Sequence, residues 1–142
     1  MFHFQLVSIT GKKFDEDVYE VILPTLDGEI GVLQDHMPLV SVAKTGVIIV
    51  RHTAKDPDHL REFFASSGGV IEVEDNLLRV LVDEADHTDE INEAEAQKAL
   101  DRAHKMKVEA KDEVSLEHAQ ALIDRQAVRL QVAGLKRRHQ RK

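Results

Sequence analysis

The chain has no cysteine and no tryptophan, only three prolines, and aromatic residues at 4% of its 142 positions. Without cysteine there is no disulfide framework and no thiolate chemistry, so a thiol redox function is excluded. Long apolar runs are missing too. Nothing approaches the roughly 20 apolar residues that span a bilayer, so membrane association is expected to be indirect. The start, Met1-Phe2-His3-Phe4-Gln5, lacks the basic stretch and apolar core of a secretory leader, and the missing transit peptide favours a bacterial chain. Gly68-Gly69 is followed by Val70-Ile71 rather than Lys-Ser or Lys-Thr, so these glycines read as a turn and not as a phosphate cradle. The eight histidines are scattered, with no His-Glu-x-x-His and no pair at helical spacing, and no metal site is expected.

What is present divides in two. Residues 1–84 hold 15 acids against 7 bases, whereas residues 85–142 hold 11 against 12, and no acid follows Asp124. Uneven electrostatics of this kind suggest two domains, 1–84 and 85–142. In the first, Phe2, Phe4 and Leu6 alternate, as do Leu78, Val80 and Val82 around Arg79, and Val18, Glu20 and Ile22 against Tyr19, Val21 and Leu23. Turn residues interrupt these runs about every ten positions, the spacing of a packed antiparallel β-sandwich, here of seven to ten strands. Pro24 is expected to end a strand, Asp27-Gly28 to turn, and His36-Met37-Pro38 to form a stiff exposed corner. Glu29 and His36 then sit on neighbouring turns. They could in principle exchange a proton, but no nucleophile, oxyanion site or pocket accompanies them, so they read as surface contacts rather than as an enzyme's centre.

From Thr88 the period becomes helical. Ala96, Ala99, Leu100, Ala103 and Met106 recur at three- and four-residue steps, as do Leu116, Ala119, Ile123, Ala127, Leu130 and Ala133. Two amphipathic helices are expected, capped by Thr88 or Asp89 and by Ser115, facing each other through alanine-rich stripes that bury little area. The link Val108 to Ser115 contains neither glycine nor proline, so a hairpin and one extended helix are both open to it. A switch between the two follows as a hypothesis. The basic end, Arg125, Arg129, Lys136, Arg137, Arg138, Arg141 and Lys142, suits the helix dipole and could also dock on an acidic partner. With no aromatic among these residues, nucleic acid is a poor candidate for that partner.

Three motifs, Asp27-Gly28-Glu29-Ile30-Gly31, His36-Met37-Pro38-Leu39 and Ser66-Ser67-Gly68-Gly69-Val70-Ile71-Glu72-Val73, occur in an order and spacing that resembles the epsilon subunit of the bacterial F-type ATP synthase. The resemblance runs over essentially the whole chain. It implies an N-terminal β-sandwich on a C-terminal two-helix antiparallel hairpin, and a noncatalytic place in the central stalk of a proton-translocating enzyme, peripheral to the cytoplasmic face of the plasma membrane. It further implies that the sandwich couples the gamma subunit to the c-ring through Asp27, Gly28, Glu29, Asp35 and His36. The helices would inhibit ATP hydrolysis, with Arg125, Arg129, Lys136, Arg137 and Arg138 docking on the catalytic beta subunit of the alpha/beta head.

ATP binding by the hairpin is the other property some members of this family have. Their first helix carries an apolar residue and Asp, then two residues, then Arg-Ala. Here the run is Ile91-Asn92-Glu93-Ala94-Glu95-Ala96, with Asn92 in place of the carboxylate and Glu95 in place of the arginine. Glu95 would repel phosphate, and Arg102, Arg125 and Arg129 do not restore the missing charge. Weak or absent ATP binding is therefore expected, with no cofactor. The alternative is an ATP-sensing module, which a titration of the isolated chain separates from the stalk role.

Overall fold

The computed structural model describes residues 1–140, the side chains of His139 and Gln140 excepted; Arg141 and Lys142 of the basic end lie outside the described residues. Ten strands, β1 (Phe2–Ser8), β2 (Gly11–Val18), β3 (Glu20–Thr25), β4 (Gly28–Val32), β5 (Leu39–Ala43), β6 (Gly46–Arg51), β7 (Glu62–Ser66), β8 (Gly69–Glu74), β9 (Leu77–Val82) and β10 (Ala85–His87), precede α1 (Glu93–Glu109) and α2 (Glu113–Gln140). The strands form one sheet in the order β10-β7-β6-β3-β5-β8-β9-β1-β2, with β4 on the other side of β3. Only Thr25 and Ala43 join β3 to β5, and there the sheet folds over into the two layers of a sandwich. Most neighbours are antiparallel as expected, but β1 and β9 run parallel.

The alternation of Phe2, Phe4 and Leu6, and of Leu78, Val80 and Val82, points these side chains into the interior. There they meet Phe14, Val21, Leu23, Ile48, Phe64 and Ile71 in one continuous core. Fully burying one such side chain contributes roughly 1.5–3 kcal/mol. The alternation through Val18 to Leu23 is broken. Val18 and Val21 are both buried because Tyr19 bends the chain between β2 and β3, which resets the phase. Strand β3 also runs through Pro24 to Thr25 instead of stopping before it. Pro24 lies beyond the last β3–β6 pair, Ile22 with Ile49, so the hydrogen it lacks is not missed there. Gly69 opens β8 rather than sitting in a turn. A Cβ on it would stand 1.9 Å from the Leu81 carbonyl oxygen, so only glycine lets β8 and β9 approach.

Strand β7 is buried on both faces. Phe64 enters the core, while Phe63 and Ala65 face outward under Val128, Val132 and Leu135 of α2, joined by Val47, Ile49 and Ile91. This explains why Phe63 to Ser66 show no polar alternation. Helix α1 packs on α2 through Ala96, Ala103, Ala119 and Ile123, all buried. Met106, Leu116 and Ala127, expected in the facing stripes, are exposed, while Val128 and Val132 of the second helix turn toward the sheet.

The sheet continues beyond residue 84. Strand β10 pairs with β7 up to His87, and Thr88–Glu90 is a 3-10 turn rather than the start of a helix. Thr88 is buried with its hydroxyl donating to the Phe63 carbonyl at 3.0 Å, and the Glu90 carboxylate accepts from the His87 amide at 3.0 Å. That amide holds the Glu90 carboxyl below its usual range, with Lys13 adding to the effect. The sheet thus claims groups that a helix from Thr88 would need. The caps are accordingly Asn92, accepting from Glu95 N at 3.0 Å, and Asp112, accepting from Ser115 N at 2.7 Å. Asp112 replaces the expected Ser115, and the amide it caps lowers its pKa.

Candidate functional site

The residues expected to touch a ring partner are set out along β4. Asp27 and Gly28 form the β3–β4 turn, where Thr25 Oγ1 donates to the Gly28 carbonyl at 2.6 Å and Gly28 takes a φ of 114°. Glu29 follows it, exposed, opposite Pro24. Asp35 and His36 lie beyond the other end of β4, roughly 13 Å further at the rise of an extended chain. The two turns are neighbours in sequence but stand at opposite ends of the sandwich. Glu29 and His36 are therefore not a proton-transfer pair. The corner carrying His36 is stiff, as Pro38 suggested, but much of the stiffness comes from elsewhere. Asp35 N donates to Asn76 Oδ1 at 2.7 Å and Asn76 Nδ2 donates to Asp35 Oδ1 at 3.1 Å, tying the corner to the β8–β9 turn. Among the described residues strand β4 pairs only with β3, so its far edge is open along the line that joins the two turns.

The outer face of the second layer is uncovered. Val42, Val70 and Leu81 are direct cross-strand neighbours on β5, β8 and β9, and Leu81 pairs on with Val7 of β1. Exposures of 52%, 40% and 40% for the first three make a continuous apolar row open to solvent.

The basic residues of α2 meet acids of their own chain. Arg125 lies 2.6 Å from Glu84 and 3.7 Å from Asp86, and Arg129 Nε, buried, lies 3.3 Å from Asp86 without an aligned hydrogen bond. Lys136 pairs with Asp89, holding that carboxyl below its usual range, and Arg137 pairs with Glu93 at 3.0 Å. Arg138 is exposed. These contacts clamp α2 to the segment between the sandwich and α1. Of the nucleotide candidates, Ile91 packs into the cluster under α2 and Asn92 caps α1, while Arg102 lies exposed on α1.

The histidines are less scattered in space than in sequence. His52 Nε2 contacts Glu62 Oε2, and His87 Nε2 donates to Glu62 Oε1 at 3.0 Å. Glu16 faces the same point. Helical and local spacing rules could not find this group, because its members come from four separate stretches of chain.

Residues 1–88 match the family described as ATP synthase, delta/epsilon chain, beta-sandwich domain. The chain is 33% identical over 138 residues to the ATP synthase epsilon chain of Herpetosiphon aurantiacus, covering 96% of this chain and 98% of that relative. Over 132 residues it is 33% identical to the epsilon chain of Desulfitobacterium hafniense, covering 93% and 96%. Its fold is shared by a chain in the Euglena gracilis mitochondrial ATP synthase (OSCP/F1/c-ring), with a TM-score of 0.75 at 22% identity over 92% of this chain and 79% of that one. A chain of the Tetrahymena thermophila mitochondrial ATP synthase central stalk and c-ring gives a TM-score of 0.61 at 12% identity, covering 92% and 95%. The chain therefore belongs to the family of ATP synthase epsilon chains.

Proposed function

We propose that this chain is a noncatalytic central-stalk subunit of a proton-translocating ATP synthase, coupling gamma to the c-ring and restraining ATP hydrolysis through its helices. The observation that carries the reading is the match to epsilon chains over both the sandwich and the hairpin. The open β4 edge, with Asp27, Gly28 and Glu29 at one end and Asp35 and His36 at the other, is the proposed c-ring contact. A partner touching both turns lies along that edge. The apolar row Val42, Val70 and Leu81 is the proposed seat of gamma, since a continuous exposed apolar strip in a small domain marks an interface. No helix among the described residues is long and apolar enough to cross a membrane, and the subunit is held at the cytoplasmic face through the ring.

In this reading the hairpin seen here is the restrained state. Arg125, Arg129, Lys136 and Arg137 pair with this chain's own acids, and docking on the alpha/beta head exchanges those acids for the partner's. Ala110, Lys111 and Asp112 make the whole turn between α1 and α2, without glycine, so helix can replace it at little local cost. The isolated chain binds ATP weakly or not at all.

Assembled enzyme is compared with enzyme lacking residues 88–142. Hydrolysis rises on truncation if the helices inhibit, and an unchanged rate overturns that part. Leu81→Glu, on the exposed row, is expected to lower recovery of gamma without unfolding the sandwich. Labels at the exposed Lys98 and Gln131 report two distances in the enzyme if the hairpin opens, and a single short distance under all nucleotide conditions rules opening out. A low-micromolar dissociation constant for ATP on the isolated chain refutes the nucleotide statement.

A further inference from the structure

The first and last strands of the sheet order, β10 and β2, approach each other and leave a seam instead of a closed barrel. Four side chains meet over this seam. Glu16 comes from β2, Glu62 from β7, His87 from β10, and His52 from the residue after β6. One potential ligand atom from each of Glu16, His52 and Glu62 lies within 4.8 Å of the other two. Two carboxylates this close repel unless a positive charge lies between them.

We propose that Glu16, His52 and Glu62 form a binding site for a divalent first-row transition ion of the Zn²⁺ class, which bridges β2 to β7 across the seam. One imidazole and two carboxylates match the mixed nitrogen and oxygen preference of such ions, and their two negative charges balance the ion's own. His87 takes a supporting part. Its Nδ1 accepts from Asp89 N at 3.1 Å, so in the neutral ring the hydrogen sits on Nε2, which donates to Glu62 Oε1 at 3.0 Å. His87 is thereby excluded as a ligand through Nε2, and it aims Glu62 Oε2 at the ion. His52 binds through its Nε2 lone pair, with its hydrogen moved to Nδ1.

The surroundings hold this arrangement in place. The Phe14 ring is 5.8 Å from His52 and the Phe64 ring 5.1 Å from His87, so both imidazoles rest on core aromatics. An open depression of about 340 Å³ bordered by Glu16, Glu62 and His87 leaves room for water to complete the coordination. Lys12 and Lys13 border it as well, but Lys12 pairs with Asp15 and Lys13 with Glu90, each at 3.1 Å. Because His87 also closes the 3-10 turn leading to α1, occupancy stiffens the root of the hairpin along with the seam.

The test is a calorimetric titration of the full-length chain, freed of metal by a chelator, with Zn²⁺, repeated with Co²⁺ read by its visible absorption. One ion per chain is expected, with a rise in Tm on binding. Glu16→Gln and His52→Gln are each expected to weaken binding at least about tenfold, and His87→Gln, acting through Glu62, by about 10–100-fold. No heat and no Co²⁺ spectrum at an excess of about 100-fold over the chain overturns the proposal. So does binding of equal affinity in wild type, Glu16→Gln and His52→Gln, which places the ion on other histidines. Glu16 is exposed, so its variant keeps the test decisive even if a substitution at His52 or Glu62 disturbs folding.

Discussion

The sandwich and the hairpin are fastened by different means. The sandwich interior is filled by Phe4, Phe64, Leu6, Leu23, Ile48, Ile71 and Leu78, all less than 2% exposed. The interface between α1 and α2 is built on Ala96, Ala103 and Ala119 with the larger Ile123, and α2 is held to the sheet by Val128, Val132 and Leu135 over Phe63 and Ala65, together with ion pairs. Burial free energy grows with apolar area, so large side chains make a body that resists deformation, whereas the alanine contacts between α1 and α2 separate at lower cost. Large and small buried side chains are thus assigned to different stretches of one short chain.

Substitutions can break that comparison. Phe64→Ala removes a ring from the middle of the core and is expected to cost about 3–5 kcal/mol, measured by urea unfolding of the whole chain. Ala103→Leu overfills the α1–α2 contact and should cost about 1–3 kcal/mol there. Hydrogen exchange in α1 would then rise while the sandwich Tm stays put, and an equal loss in both would mean that the two parts unfold as one unit. Asn92→Ala removes the α1 cap, with a cost of about 1 kcal/mol seen as faster exchange in the first turn of that helix alone.

The smallest effect concerns pH and belongs to the sandwich. His3 lies 2.7 Å from Asp17 and 2.5 Å from Asp15, which raise its pKa, Asp17 most, while His3, with Lys12, lowers Asp15 to about 2. The histidine's contribution is fully present below 6.5, its ordinary value, and is lost as pH rises through the raised folded value. Asp15 contributes above 3.8 and loses its contribution as pH falls toward about 2. These groups are exposed, so the check is a proton NMR titration of His3, expected to show a midpoint above 6.5, with Asp15→Asn and Asp17→Asn moving it down.

How much of the site could be read beforehand differs along the chain. The turn at Asp27-Gly28 and the corner at His36-Met37-Pro38 were legible because glycine and proline act on their immediate neighbours. Their placement at opposite ends of the sandwich was not, since nothing local states which way β4 runs against β3. The basic run of α2 was visible as charge, but its partners Glu84, Asp86 and Asp89 were not, because pairing depends on where α2 docks. Thr88 shows the same limit. Helical period and capping residues pointed to a helix start, yet the Phe63 carbonyl took its hydroxyl, and the sheet kept the chain until His87.

Period, turn chemistry and composition by themselves settled that alternating segments precede helical ones, that no thiol chemistry occurs, and that the two helices meet through small side chains. These follow from forces acting within a few residues. The parallel contact of β1 with β9, the double burial of β7, the Asp86 clamp on Arg129 and the meeting of Glu16, His52, Glu62 and His87 were decided only by the folded chain. Each joins residues far apart in sequence, and their approach is set by how the core packs and where the sheet folds over.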